Sequence, residues 1–238
     1  MITQKDIDNA TMHINGTNIA DFGVLVESLK VGAIETQQET YQGVNRSNFN
    51  VLDTIQYMRT INVNLFYSAP TKRELALIKS KIDNMMIGKL DLYLPDDFYY
   101  SAYLVSAGEE NVLGVERNQV IALCSYQFKG VRHDPLEVVH TTAAADNSVI
   151  CKSTVPHTDC KLTCTASTNY ASLQVDTVTI TNVTAGDIIV VDGITGRILQ
   201  NGAPCAGNMS FIHFPSLVPE ENKLTCPEDL TIEYYPTY

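Results

Sequence analysis

What this chain lacks narrows the field before any motif is read. No apolar stretch reaches the roughly 18–20 residues that a helix needs to cross a bilayer. The opening MITQKDIDNATMHINGT is polar and carries acids, without the apolar segment of a secretion signal. Basic residues are few: 16 Lys and Arg stand against 27 Asp and Glu, a net charge of −11 at pH 7. A surface that grips nucleic acid needs the opposite sign. Only 18% of the residues are charged while 45% are hydrophobic, too apolar for a disordered tail. No fixed-period repeat and no low-complexity tract is present. A membrane protein, a secreted disulfide miniature and a nucleic-acid clamp are therefore set aside. What remains is an acidic globular protein of 238 residues. A chain of that length buries roughly 70–75% of its unfolded surface, in one large core or two ordinary ones.

Catalytic signatures are equally scarce. The five histidines, His13, His133, His140, His157 and His213, show no metal-ligand spacing, and no nucleophile elbow occurs. Gly193-Ile-Thr-Gly-Arg197 lacks the Lys-Ser/Thr ending of a phosphate loop. Cys151, His157, Cys160 and Cys164 fall within 14 residues, but without the Cys-x-x-Cys pairs of a structural zinc site. The expectation is buried free thiols acting as small hydrophobes, with no metal and no cofactor. Asp187 and Asp192, and Asp96 and Asp97, flank strand-like segments, where turn formation is a better account than a pair of catalytic carboxyls.

The composition shifts at Pro135. Residues 1–135 carry 12 basic and 16 acidic residues, and residues 136–238 carry 4 and 11. Cys124 alone lies before the shift and the other five cysteines after it. Two domains are expected, 1–135 and 136–238, joined by a linker at 129–135. In the first, Ile61, Val63 and Leu65 alternate with polar residues, a half-buried strand. Thr71-Lys-Arg-Glu74 is a capping box, and Leu75, Ile78, Ile82, Met85 and Met86 follow on one helical face. A helix over about 71–87 is predicted, ended near Gly88. Residues 90–94, 99–105 and 119–128 read as strands, and 106–118 as a long loop between the last two. The second domain reads as nine short strands without a helix, at 136–141, 148–154, 161–167, 172–182, 187–191, 197–200, 209–214, 223–225 and 230–235. Their separators include Ala185-Gly186, Asp192-Gly193, Asn201-Gly202 and Pro219-Glu-Glu-Asn222. That count over about a hundred residues points to an antiparallel sandwich. The 12 tyrosines and no tryptophan include dense runs at Tyr99–Tyr103 and Tyr234–Tyr238, suited to an interface or to cross-strand pairs.

In order, Ala185-Gly-Asp-Ile-Ile-Val-Val-Asp-Gly193, Asn201-Gly202, Phe214-Pro-Ser-Leu-Val-Pro-Glu-Glu-Asn222 and Leu230-Thr-Ile-Glu-Tyr-Tyr-Pro236 resemble the C-terminal half of the siphophage distal tail protein (Dit) family. Phe22-Gly23, the 59–66 strand, the capped helix and the Tyr99–Tyr103 strand resemble its N-terminal domain. Glu220-Glu221 stands where the family pattern has Pro-Gly, and Met85-Met86 where a tryptophan often follows the helix. The resemblance implies an N-terminal ring-forming β-sandwich with one helix and a C-terminal galectin-like β-sandwich. It further implies a structural, non-enzymatic protein of the phage virion, made in the bacterial cytoplasm and placed at the tail tip as a hexameric ring, with possible stacking of rings. Its partners would be other copies of itself, the tail tube protein, the tail-associated spike and the receptor-binding protein, with no membrane. DNA would pass without specific binding, as an acidic lumen allows. A carbohydrate-binding module or adhesin of similar fold is the alternative, although the sugar-stacking tryptophan of galectins is missing, and a hydrolase trails both. Within the 106–118 loop, Glu109, Glu110, Glu116 and Arg117 are expected on an arm that reaches a neighbouring subunit or borders the channel.

Overall fold

The computed structural model describes residues 11–34, 36–41, 50–56, 58–116, 118–205 and 207–238. The chain is mainly β, with antiparallel sheets and, among the described residues, a single α-helix. It divides into two compact units, 1–132 and 133–238.

In the first unit the strands are β1 (His13–Ile14), β2 (Thr17–Asn18), β3 (Val24–Val31), β4 (Thr36–Tyr41), β5 (Asn50–Gln56), β6 (Arg59–Ala69), β7 (Leu90–Tyr93), β8 (Tyr99–Ala107), β9 (Asn111–Glu116) and β10 (Gln119–His133). The helix α1 (Lys72–Met85) lies between β6 and β7. Seven strands run β2-β1-β7-β8-β10-β6-β3, β9 is added on β10, and β4 pairs with β5 separately. Alternation decides which face is buried. Along β6, Ile61, Val63, Leu65, Tyr67 and Ala69 point inward, and Val120, Ala122, Cys124, Tyr126 and Phe128 of β10 join them. The helix starts where the capping box predicts: Thr71 Oγ1 accepts the Glu74 N–H at 3.2 Å. Leu75 and Ile82, with Met86 just beyond its end, bury the helix against this core.

Two expectations fail here. Residues 129–133 do not break the chain as a linker; they are the last residues of β10. Gly130 permits this, because a Cβ at that position would lie 2.7 Å from the Ala102 side chain on β8. Most of the stretch expected as a loop is likewise strand. β8 extends to Ala107, and β9 then pairs with β10 from Asn111↔Leu123 to Glu116↔Gln119.

The second unit contains β11 (Glu137–Thr141), β12 (Ser148–Cys151), β13 (Thr158–Thr165), β14 (Tyr170–Val175), β15 (Val178–Val183), β16 (Ile188–Asp192), β17 (Arg197–Gln200), β18 (Ala203–Pro204), β19 (Met209–Phe211), β20 (Ser216–Leu217), β21 (Glu220–Lys223) and β22 (Leu230–Tyr234). One sheet runs β11-β22-β13-β16-β17-β18 with β20 on β13; β14-β15-β19 and β12-β21 form two others. Leu162, Leu173, Val178, Ile180, Ile189, Val191, Ile232 and Tyr234 are among its completely buried residues. The predicted single strand at 172–182 is a hairpin, turned at Asp176 with φ +54°. The strand expected at 223–225 lies earlier, at Glu220–Lys223, paired with β12. A short 3-10 turn at Ala143–Ala145 is the unit's helical element.

Candidate assembly surface

The exposed feature with the least intrachain explanation is the outer end of the β8–β9–β10 hairpin. β9 continues the line of β8 along β10, and Gly108 joins the two by donating its N–H to the Ser125 carbonyl at 2.6 Å. A register shift between Ile121 and Ala122 leaves Leu113 unpaired between Val112 and Gly114, a β-bulge. Gly114 at φ +146° suits this geometry, and Asn118 at φ +67° turns the chain back into β10. Every residue of β9 is exposed. Val112, Leu113 and Val115 are 44%, 58% and 71% exposed, and Tyr103 and Val105 of β8 add to the apolar area. Apolar residues in an extended backbone, bared on both faces, make a surface suited to a protein partner. Glu109, Glu110 and Glu116 stand exposed on the same segment, and Arg117 lies outside the described residues. Sequence reading found the acids and missed the apolar residues between them. The signal was Val112-Leu113-Gly-Val115, a strand-like run obscured by glycines and glutamates.

Most tyrosines are used inside the chain. Tyr100 is completely buried, donates to Asp96 Oδ2 at 2.5 Å and accepts from Arg132 Nε at 3.0 Å. Burial and the bond to Asp96 push its phenol up to about 12. Tyr93 meets Tyr99 and His13 as cross-strand ring pairs, with centroids 4.9 and 5.6 Å apart. Tyr234 lies in the second core, and Tyr238 donates to Asp134 at 2.6 Å.

The candidate carboxylates make turns. Asp187 accepts from Thr184 N–H at 2.8 Å, Thr184 Oγ1 at 3.0 Å, and Gln200 and Asn201 side chains at 2.7 Å each. These bonds hold its carboxyl well below the usual carboxylate range, the Thr184 N–H contributing most. Asp192 accepts from Thr195 N–H and Oγ1. Asp96 and Asp97 accept from Tyr100 and Tyr93. All six cysteines are free thiols, and Cys226 alone is not buried. Among the described residues no group of three or more His, Cys, Asp or Glu side chains is placed to hold a metal ion. No helix among them is long and apolar enough to cross a membrane.

No family model matches the sequence, and no curated protein matches it either. Solved structures do. The Dit protein of phage SPP1, a paradigm of the hub adsorption apparatus in phages infecting Gram-positive bacteria, superposes with a TM-score of 0.72. Sequence identity is 13%, over 96% of this chain and 98% of that one. The fold is that of a Dit hub protein. A chain of the phage P2 baseplate in its activated conformation with calcium gives a TM-score of 0.56 at 8% identity, covering 96% and 98% of the two chains. The strontium form gives 0.54 at 8% identity, covering 94% and 97%. The Dit likeness spans both units and leaves almost no part of either chain unmatched.

Proposed function

We propose that this chain is a structural hub protein of a phage tail tip, a Dit-type subunit that closes with other copies of itself into a ring. The observation that carries this reading is the end-to-end likeness to SPP1 Dit, with both chains covered almost completely. In such a ring each subunit offers two different surfaces, a heterologous contact that closes on itself, with six copies the expected number. The ring would join the tail tube protein on one side to spike and receptor-binding proteins on the other. Its work is geometric, and no catalytic step is assigned to it. A subunit charge of −11 suits a passage that lets DNA move without holding it. The β9 hairpin is the arm that meets the neighbouring subunit: its apolar residues bury there, and Glu109, Glu110 and Glu116 border the contact.

Light scattering coupled to size exclusion at micromolar concentration tests both parts. The expected species is a hexamer or a pair of stacked hexamers. A single 26.3 kDa species at both low and moderate salt overturns the self-assembling ring. The triple variant Val112→Thr, Leu113→Thr, Val115→Thr puts β-branched residues of high strand propensity at all three positions and removes the apolar contact. It is expected to melt within roughly 1 kcal/mol of the parent, as exposed substitutions do, yet to assemble far more weakly. Undiminished assembly at matched concentration rules out the arm and leaves the ring proposal standing on other surfaces.

A further inference from the structure

The outer face of α1 is a basic surface on an acidic chain. Within residues 72–89, Lys72, Arg73, Lys79, Lys81 and Lys89 stand against Glu74 and Asp83, a net of +3 in a chain of net −11. Helix geometry decides which of them face outward. Leu75 and Ile82 fix the buried side, and Lys79, turned toward it, pairs with Asp83 at 2.6 Å. Arg73, Leu77 and Lys81 follow at i, i+4 and i+8 on the opposite side, a stripe of exposed residues. Leu77 is 63% exposed, and Ile87, just past the helix, 74%. Among the described residues Lys72, Arg73 and Lys89 make no ion pair. The Lys81 ammonium rests 4.1 Å from the centroid of the Phe22 ring, without a carboxylate partner. An apolar spot edged by cations that lack counter-charges fits an apolar segment edged by acids.

The β9 hairpin is that segment in reverse sign, with Val112, Leu113 and Val115 exposed among Glu109, Glu110 and Glu116. The two surfaces lie toward opposite edges of one sheet. The start of β10 pairs with β9 on one side and with β6 on the other, and β3 lies beyond β6. Phe22, under Lys81, leads into β3 through Gly23. Surfaces at opposite edges meet head to tail between copies, the heterologous contact that a closed ring requires.

We propose that the outer face of α1, centred on Leu77 and edged by Arg73 and Lys81, is the docking surface for the β9 hairpin of the next copy. This rests on the ring reading and on the hairpin as its arm, and it names what the arm seats on. The apolar residues of β9 cover Leu77 and Ile87, and the arm's glutamates face the cations of α1. The apolar centre supplies the hold, while the opposite charges at the rim steer the encounter and set its register.

The test exchanges the charges. Arg73→Glu with Lys81→Glu reverses the helix face, and Glu109→Lys with Glu116→Lys reverses the arm. All four positions are exposed, so both double variants are expected to melt close to the parent. By size exclusion with light scattering, each alone should need about tenfold more protein than the parent to assemble. Mixed one to one, the two variants set reversed arm against reversed helix and native arm against native helix. The mixture should regain the parent's assembly as rings of alternating subunits. In the assembled parent, a carbodiimide joins carboxylate to amine without a spacer. It should link a glutamate of the arm to Lys81, Lys72 or Lys89, and mixed isotope labels should mark the link as lying between chains.

If the parent assembles but reversing the helix face has no effect, or the mixture stays as weak as its components, the α1 docking is wrong and the ring stands on other surfaces. Absence of the cross-link from the assembled parent overturns the docking too. That measurement requires no variant to fold, so a destabilised helix variant leaves the test intact. A parent that stays a single 26.3 kDa species overturns the ring reading, and this inference with it.

Discussion

Between the helix and the sheet of the first unit lies a pair of tyrosine hydroxyls, Tyr67 and Tyr126, 2.8 Å apart, with Tyr126 donating to Asp83 of α1 at 2.7 Å. The corresponding buried polar group of the second unit is a carboxylate. Glu228, 8% exposed, accepts from Ser167 N–H, Ser167 Oγ and Tyr170 OH, all at 2.7 Å. The difference lies in what each group joins. The tyrosine pair bridges elements whose apolar faces already pack, since Leu75, Ile82 and Met86 seat the helix without it. Glu228 bridges two loops that no strand ladder joins directly, and beside the neighbouring β13–β22 ladder and the Asn147 bonds to the Cys226 and Glu228 carbonyls it is the side chain that ties one loop to the other. A polar network that supplements apolar packing is more dispensable than one that replaces it.

Removing Glu228 is therefore expected to have the largest effect. Glu228→Ala leaves the Ser167 N–H and two hydroxyls without their acceptor, and should cost the second unit about 3 kcal/mol. The same carboxylate sets an acid limit. Burial raises its pKa, but the bonds from Tyr170 and Ser167 outweigh this and hold it below its ordinary 4.5. A depressed carboxyl contributes stability that is present in full above the unfolded value and lost as the pH falls through the folded one. Asp187 acts in the same direction, while Asp176, raised by burial, acts against them. Denaturant titrations between pH 6 and roughly 3 should show the loss beginning below about pH 4.5 in the parent and flattened in Glu228→Gln. An unchanged acid profile in that variant would show that the loops are held by something else.

Tyr126→Phe is expected to be milder, about 1–2 kcal/mol, because apolar packing survives and only the hydroxyl bonds go. It also has an alkaline signature. Burial first, and then Tyr67 and Asp83, push the Tyr126 phenol well above its ordinary 10.0. A raised pKa contributes stability that is complete below the unfolded value and is lost as the pH climbs beyond it. The parent should lose stability above pH 10 more steeply than the variant, read by urea titration at pH 8 and about 11. A cost equal to that of Glu228→Ala would break the contrast between the two units.

The sequence carried those parts of the fold that depend on local pattern. Alternation through Ile61, Val63 and Leu65 marks β6, and Thr71 with Glu74 marks the start of α1, because both signals sit within a few residues of what they determine. The parts that escaped depend on distant partners. β9 reads as a loop because Gly114, Glu116 and the preceding Gly108-Glu-Glu110 have low strand propensity, and it becomes a strand by pairing with β10. β10 continues past Lys129-Gly130 because β8 lies against the bare glycine. Glu228 has no local signature, since its partners Ser167 and Tyr170 are 61 and 58 residues away. By contrast, the turn roles of Asp187 and Asp192 were legible, as each is bonded to a residue three positions away.

The smallest expected effect concerns backbone strain, and it runs toward greater stability. Among the described residues, every non-glycine residue with a left-handed φ is Asn or Asp, except Glu220 at φ +77°. All the exceptions in the first unit, Asn15, Asp97 and Asn118, are of the tolerated kind. Glu220 begins β21, opposite Cys151. Its side chain is exposed, and its carbonyl accepts from Asn222 Nδ2 at 3.1 Å, a main-chain bond that survives any side-chain change. Glycine at this position relieves roughly 1–2 kcal/mol of left-handed strain. It gives back roughly 0.5–1 kcal/mol through the greater freedom of the unfolded chain. Glu220→Gly should therefore stabilise the second unit by roughly 0.5–1 kcal/mol. Glu220→Ala, which keeps a Cβ, should not stabilise it. Equal melting temperatures for the glycine and alanine variants would mean that the positive φ carries no strain, and that the second unit tolerates at this turn what the described residues of the first avoid.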